Sequence, residues 1–177
     1  MTSPQDEVPS ILYLDSHLIA VCKPAGMLTQ ADESGDESLM DQVKAWIKTE
    51  FNKPGNVFLG LIHRLDRNVS GVLLFARTSK GASRLSEQFR DKTTEKFYRA
   101  IVEGQPEQEQ ASLYHHLRKE KTLKSTVFPR PGKDTQHAEL EYKTLKIYAS
   151  TRLLEIKLHT GRFHQIRAQL AFIGHPI

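Results

Sequence analysis

Residues 57–76 have the sequence VFLGLIHRLDRNVSGVLLFA, in which a polar segment separates two apolar runs. The apolar runs, 57–62 and 72–76, have the length and the aliphatic composition of buried strands. The residues between them, 63–71, follow neither a helical nor a strand period. The sequence therefore predicts two strands joined by an irregular polar loop.

This loop concentrates charge at the end of a strand. Asp66 stands between Arg64 and Arg67. A carboxylate flanked by guanidinium groups stays ionised at neutral pH, so it could act as a nucleophile or a base. A structural Asp–Arg ion pair at a sheet corner gives the same pattern, and the spacing alone leaves both interpretations open.

Further elements are predicted on both sides of this loop. They are strands at 11–14 and 18–22, a helix over 38–51 capped by Ser38, a helix from Thr78 or Ser79 to residue 90, a strand at 96–103, a basic hairpin within 113–127, strands at 138–149 and 151–159, and a helix over 162–172. Strands outnumber helices and many connections are short. This pattern favours an α+β fold with a mixed, largely antiparallel sheet and flanking helices.

Length and composition restrict the class of protein. A chain of 177 residues is typical of one domain, predicted here over residues 11–177 after a mobile tail at residues 1–10. The net charge of +4 is compatible with a nucleic acid partner. No apolar run approaches the roughly 20 residues that span a bilayer, and the first residues lack the features of a signal peptide.

Cofactor and metal motifs give no support for a bound group. The single cysteine, Cys22, lies in an apolar run and is expected to be a buried, inert thiol, which suits a reducing, cytoplasmic compartment. The histidines lack a metal-ligand spacing, and no glycine-rich phosphate-binding loop is present. We therefore expect neither a metal nor a cofactor.

A second charged segment, TGRFHQIR, occupies residues 160–167. Gly161 permits a tight turn, and Arg162 would then lie in the first turn of the last helix, where the helix dipole disfavours a cation. Arg167 lies about one turn further on, three residues after His164. These arginines either face solvent on a basic helix or bind a carboxylate or phosphate.

Four segments together resemble one family of enzymes. They are HRLDRNVSGVLLFAR at 63–77, TGRFHQIRAQLAFIGHPI at 160–177, ILYLDSHLIAVCKPAGML at 11–28 and EKFYRAIVEG at 95–104. In their order along the chain, these four segments resemble the motifs of the RluA-type RNA pseudouridine synthases. The chain departs from that pattern in having Val69 where the family commonly has Thr. The family also continues beyond the last motif, whereas this chain stops at Ile177, so we expect a fold that lacks its C-terminal strands.

The resemblance implies a function and a set of site residues. The chain is expected to isomerise uridines of ribosomal or transfer RNA without a cofactor, and the full-length enzyme is expected to be a monomer. The implied catalytic residues are Asp66, Tyr98 and Arg167, with Arg167 pairing with Asp66. The resemblance also implies that Arg64 helps to displace the target nucleotide. Further residues expected to bind RNA are Arg67, Lys23, Arg162 and His164. A glycosidase that releases uracil and an inactive RNA-binding protein are the alternatives.

Overall fold

A computed structural model describes residues 9–177 of the chain. The chain divides into two compact units, Met1–Thr93 and Thr94–Ile177. The prediction of one domain over residues 11–177 stays a prediction. Most of the predicted mobile tail lies outside the described residues, but Pro9 is buried and the Ser10 carbonyl accepts a hydrogen bond from the Cys22 N–H at 2.8 Å.

The first unit contains a four-stranded sheet and two helices. Its elements are β1 (Ile11–Leu14), β2 (Leu18–Lys23), α1 (Leu39–Glu50), β3 (Gly60–Leu61), β4 (Gly71–Ala76) and α2 (Ser79–Arg90). The strand order is β1-β2-β4-β3, and every pair is antiparallel. Successive side chains of β2 and β4 point to opposite faces of the sheet. On the inner face, Ile19, Val21, Leu73 and Phe75 are fully buried.

Both helices of this unit begin at residues that cap them. Ser38 accepts a hydrogen bond from the Asp41 N–H, and the Asp41 carboxylate accepts one from the Ser38 N–H, which forms a capping box. Thr78 accepts from the Gly81 N–H at the start of α2. These contacts satisfy N–H groups that have no partner inside a helix, and they confirm both predicted starts.

The second unit contains a five-stranded antiparallel sheet covered by one helix. Its elements are β5 (Phe97–Glu103), β6 (Gln110–Lys119), β7 (Ser125–Phe128), β8 (Gln136–Ile147), β9 (Thr151–Leu158) and α3 (Gln165–Phe172). The strand order is β5-β9-β8-β6-β7. Leu170 of α3 joins a core cluster with Val102, Leu140, Leu154 and Ile156.

The α+β class and the largely antiparallel pairing are confirmed, with the strands divided between two sheets. Two element boundaries were predicted wrongly. The strand expected over 57–62 is reduced to Gly60–Leu61, because only these two residues pair with β4. The last helix begins at Gln165 rather than at residue 162, because His164 has a left-handed backbone with φ 49°. No helix within residues 9–177 is long and apolar enough to cross a membrane.

Candidate active site

Asp66 lies on an exposed loop of the first unit, between β3 and β4. Its carbonyl accepts a hydrogen bond from the Val69 N–H at 3.0 Å, which closes a turn. The side chains of Arg64, Asp66 and Arg67 are exposed, whereas Leu65 between them is buried. Asp66 is thus an exposed residue of a loop that is anchored by an apolar side chain.

The residue before Asp66 is held by a buried threonine. The Thr29 hydroxyl donates to the Leu65 carbonyl at 2.8 Å and accepts from the Leu65 N–H at 3.3 Å. Thr29 is only 5% exposed, so water does not compete for these groups. A single hydroxyl therefore satisfies both backbone groups of Leu65 and fixes the chain at the point where Asp66 follows.

The residue after Asp66 is held by a buried lysine. Lys23 is fully buried, and its ammonium donates to the carbonyls of Arg67 at 2.9 Å, Pro24 at 2.9 Å and Met27 at 2.7 Å. These three bonds use all three ammonium protons. Burial lowers the pKa of Lys23 below its usual value, and the charge of nearby Asp66 opposes that shift.

A glycine completes the fixation of Arg67. The Gly26 N–H donates to the Arg67 carbonyl at 2.8 Å, and the Arg67 Nε donates to the Gly26 carbonyl at 3.0 Å. Gly26 has φ +88°, a conformation that side-chain-bearing residues rarely adopt. The Arg67 guanidinium also pairs with Asp36 at 2.7 Å. Asp66 is therefore an exposed carboxylate between two backbone positions that are each held from outside the loop.

Lys23 belongs to the residues that were predicted to contact RNA, and its surroundings do not favour that role. A phosphate contact would require the ammonium to leave three carbonyl oxygens and a fully buried position. Buried carbonyls that lose their donor cost about 1–3 kcal/mol each. The structure instead gives Lys23 contacts that fix the loop of Asp66.

Tyr98 and Arg167, the other two predicted catalytic residues, belong to the second unit. Tyr98 lies on β5, is partly buried, and packs against the core cluster that Leu170 joins. Arg167 is exposed on α3. Asp66 belongs to the first unit, and its pairing with Arg167 stays a prediction.

The loop before α3 is held by buried polar side chains. The Thr160 hydroxyl donates to Gln165 Oε1 at 2.8 Å and accepts from the Glu139 N–H at 2.8 Å. The same Gln165 oxygen accepts from the Arg162 N–H at 2.9 Å. One helical turn later, buried Gln169 donates towards the carbonyls of β6 and β8. These contacts fix the segment that leads to Arg167.

Arg162 and His164, which were predicted to bind RNA, lie in this loop. The Arg162 Nε donates to the His137 carbonyl at 2.8 Å, so the side chain lies along β8 rather than in the first turn of a helix. The argument from the helix dipole therefore does not apply to Arg162. The His164 ring stacks on Phe163 with centroids 3.8 Å apart. Among residues 9–177, no three His, Cys, Asp or Glu side chains are grouped to hold a metal ion.

Replacing Thr29 by Val should destabilise the loop of Asp66. Valine keeps the shape of threonine but leaves the Leu65 N–H and carbonyl without their partner. We expect a loss of about 2 kcal/mol in the free energy of unfolding, measured by urea denaturation. Thr29→Ser keeps the hydroxyl and is the matched control. We expect it to recover at least half of the stability that the Val variant loses. Equal stability of the Val variant and the wild-type chain would contradict a holding role for Thr29.

Comparisons with known proteins identify the family that the chain resembles in sequence and in fold. Residues 17–172 match the family model described as RNA pseudouridylate synthase. The chain is 33% identical over 167 residues to ribosomal large subunit pseudouridine synthase C of Escherichia coli (strain K12), covering 94% of this chain and 50% of that protein. It is 32% identical over 181 residues to ribosomal large subunit pseudouridine synthase D of Zymomonas mobilis, covering 98% of this chain and 55% of that protein.

A solved structure supports the same likeness. The structure of human RNA pseudouridylate synthase domain containing 4 matches with a TM-score of 0.84 and 27% identity, over 95% of this chain and 66% of that one. The chain spans about half the length of the bacterial relatives that it matches.

Proposed function

Because the chain belongs to the RNA pseudouridylate synthase family, we propose that it isomerises uridine in structured RNA to pseudouridine through Asp66. The observation that carries this proposal is the placement of Asp66 as an exposed carboxylate between two fixed residues. Leu65 is held by Thr29, and Arg67 is held by Lys23. A reaction that depends on one carboxylate requires such a fixed position, since small displacements of a reacting group are costly.

The proposed reaction breaks the bond between uracil N1 and ribose C1′ and forms a bond between C5 and C1′. The C5 proton leaves and N1 gains a proton, so the product is an isomer and no redox step is needed. Asp66 attacks ribose C1′ or the uracil ring, or removes a ribose proton. The target uridine must first leave its stacked position, at a cost of a few kcal/mol. Arg64, exposed two residues before Asp66, is proposed to help displace it.

Two residues of the second unit are proposed to assist. Tyr98 offers a ring on which uracil can stack and a hydroxyl that can handle the C5 proton. Arg167 is proposed to keep Asp66 ionised and oriented through a charge-assisted hydrogen bond. Arg67, Arg162 and His164 are proposed to contact the RNA backbone, where cations make binding dependent on salt.

Ribosomal RNA of the large subunit is the proposed substrate, since the relatives at 32–33% identity carry that substrate in their names. Transfer RNA is the second candidate. We propose that the full-length enzyme is a monomer without a cofactor and works in the cytoplasm, a compartment that suits its free thiol, Cys22.

The test is a product assay on an unmodified large-subunit ribosomal RNA transcript. Pseudouridine, detected by carbodiimide labelling and primer extension, would support the proposal. Release of free uracil would show a glycosidase instead, and RNA that is bound but unchanged would show a binding protein. A transfer RNA transcript in parallel decides between the two substrates.

Replacing Tyr98 by Phe should separate stacking from proton transfer. The ring remains and the hydroxyl is lost, so we expect RNA affinity to be kept while kcat falls by about 10²-fold. Tyr114→Phe is the matched control, because Tyr114 is an exposed tyrosine on β6 of the same unit. Single-turnover kinetics measure the effect. An unchanged kcat in the Tyr98 variant would exclude a proton-transfer role for the hydroxyl.

A further inference from the structure

A short segment of the second unit carries most of the excess positive charge of the chain. Residues 118–133, here called the basic segment, contain six lysines and arginines and a single acid, Glu120. The whole chain has 25 basic and 21 acidic residues, so the remainder is slightly acidic. The cations of the basic segment are Arg118, Lys119, Lys121, Lys124, Arg130 and Lys133. Such a concentration of cations in one segment of the sequence favours a nucleic acid contact.

The basic segment begins in a β-hairpin whose tip has an unusual residue. The Leu123 N–H donates to the Glu120 carbonyl at 3.1 Å, and the Glu120 N–H donates to the Lys124 carbonyl at 2.8 Å. Leu123 has φ 57°, a left-handed conformation that such turns usually assign to glycine or asparagine. Its side chain is 63% exposed. The tip therefore holds a strained leucine that gains little burial, which is a pattern of functional sites rather than of stability.

Two lysines flank this leucine, and side-chain contacts of Arg118 stabilise the hairpin below the tip. Lys121 and Lys124 are both exposed. The Arg118 Nε donates to Glu120 Oε1 at 2.9 Å, and its guanidinium lies 4.9 Å from the centroid of the Phe128 ring. The one acid of the segment is thus paired with Arg118 at the base of the tip.

The base of the hairpin contacts the loop that precedes α3. The Lys119 Nζ lies 4.7 Å from the centroid of the Phe163 ring, and the Ser125 hydroxyl donates to the Phe163 carbonyl. Phe163 stacks in turn on His164. The helix that carries Arg167 packs beside β7 and β6. The hairpin is therefore rooted on the loop that holds Arg162 and His164.

We propose that the hairpin tip is a second RNA contact, in which Lys121 and Lys124 bind backbone phosphates and Leu123 packs against an unstacked base. This inference rests on the proposed function, because it takes RNA as the partner. An exposed apolar side chain between two cations suits a nucleotide, which offers an apolar base face beside charged phosphates. Apolar side chains that enter between bases are a known mode of nucleic acid binding.

The lysines are tested with Lys121→Gln/Lys124→Gln. The probe is a fluorescein-labelled RNA stem–loop with uridines in its loop, and the readout is fluorescence anisotropy over a range of salt. We expect Kd to rise about tenfold. The negative slope of log K against log salt should become shallower by about 1.5, because two phosphate contacts are lost. The control, Lys143→Gln/Lys146→Gln, removes the same charge from β8, and it should leave Kd and the salt slope unchanged. Lys143 lies opposite Gln110 in the strand register, at the far end of β6, and its ammonium pairs with Glu155 at 2.9 Å.

The leucine is tested with Leu123→Gly. Glycine relieves the left-handed strain, so we expect a melting temperature that is unchanged or higher by up to about 4 °C. We expect Kd for the same RNA to rise at least about threefold, with an unchanged salt slope, because a base contact and no phosphate contact is lost. Leu123→Met keeps an apolar side chain and should bind like the wild-type chain. A purely structural leucine would lose stability and leave binding unchanged.

The outcomes separate this inference from the proposed function. If the wild-type chain forms pseudouridine while the lysine double variant keeps the wild-type Kd and salt slope, that result would overturn the hairpin contact alone. Normal binding by Leu123→Gly would overturn the base contact. Wild-type chain that neither binds nor modifies RNA would overturn the proposed function and this inference together.

Discussion

Asp66→Asn is expected to abolish pseudouridine formation while leaving the fold and RNA affinity close to those of the wild-type chain. Asparagine keeps the shape of the side chain but is a far poorer nucleophile and base. We expect the single-turnover rate to fall by at least about 10³-fold. Because Asp66 is exposed and its loop is held through Leu65 and Arg67, the melting temperature should change by less than about 2 °C.

The matched control for this variant is Asp91→Asn. Asp91 is an exposed carboxylate beyond the end of α2, where its ion pair with Arg90 contributes little, about 0–1 kcal/mol. Its replacement should leave the rate unchanged. An Asp66→Asn variant that kept more than about 5% of the wild-type rate would show that the carboxylate is not essential.

Lys23→Met is expected to have the second largest effect, on both stability and rate. Methionine has a similar length but cannot donate, so the carbonyls of Pro24 and Met27 lose a charged donor, and that of Arg67 keeps only the Gly26 N–H. We expect a loss of about 3 kcal/mol in the free energy of unfolding, which lowers the melting temperature by about 6–12 °C.

The kinetics of this variant decide between two roles of Lys23. A residue that positions Asp66 should lower kcat in the folded fraction with little change in KM, whereas an RNA contact should raise KM and lower the salt slope. Lys48→Met, an exposed lysine in the last turn of α1, should leave both stability and rate nearly unchanged. Wild-type stability and kcat in Lys23→Met would contradict the holding role.

The elements that the sequence predicted well are those with local signals. The starts of α1 and α2 follow from Ser38 and Thr78, whose side chains bond N–H groups only three residues away. The start of α3 was missed because His164 adopts a left-handed conformation that no local pattern indicates. The contraction of β3 has a similar origin, since pairing with β4 rather than apolar composition decides where a strand is formed.

The site shows the same division between local and distant information. The sequence points to Asp66, but not to Thr29, and it suggests RNA binding rather than a holding role for Lys23. Thr29 is 36 residues from Leu65, and Lys23 is 44 residues from Arg67. Such pairings depend on the tertiary structure and leave no spacing in the sequence. Gln165 and Gln169 did leave a signal, because two glutamines at i and i+4 lie on one face of a largely apolar helix.

Formation of pseudouridine through Asp66 can be measured in cells by mapping pseudouridines in their RNA. Large-subunit ribosomal RNA and transfer RNA would be sequenced after carbodiimide labelling from cells with the gene, cells without it, and deleted cells that express the chain or its Asp66→Asn variant. We expect at least one pseudouridine to disappear on deletion, to return with the wild-type chain and to stay absent with the variant. Persistence of every pseudouridine after deletion, or restoration of a lost pseudouridine by the Asp66→Asn variant, would contradict catalysis by this chain through Asp66.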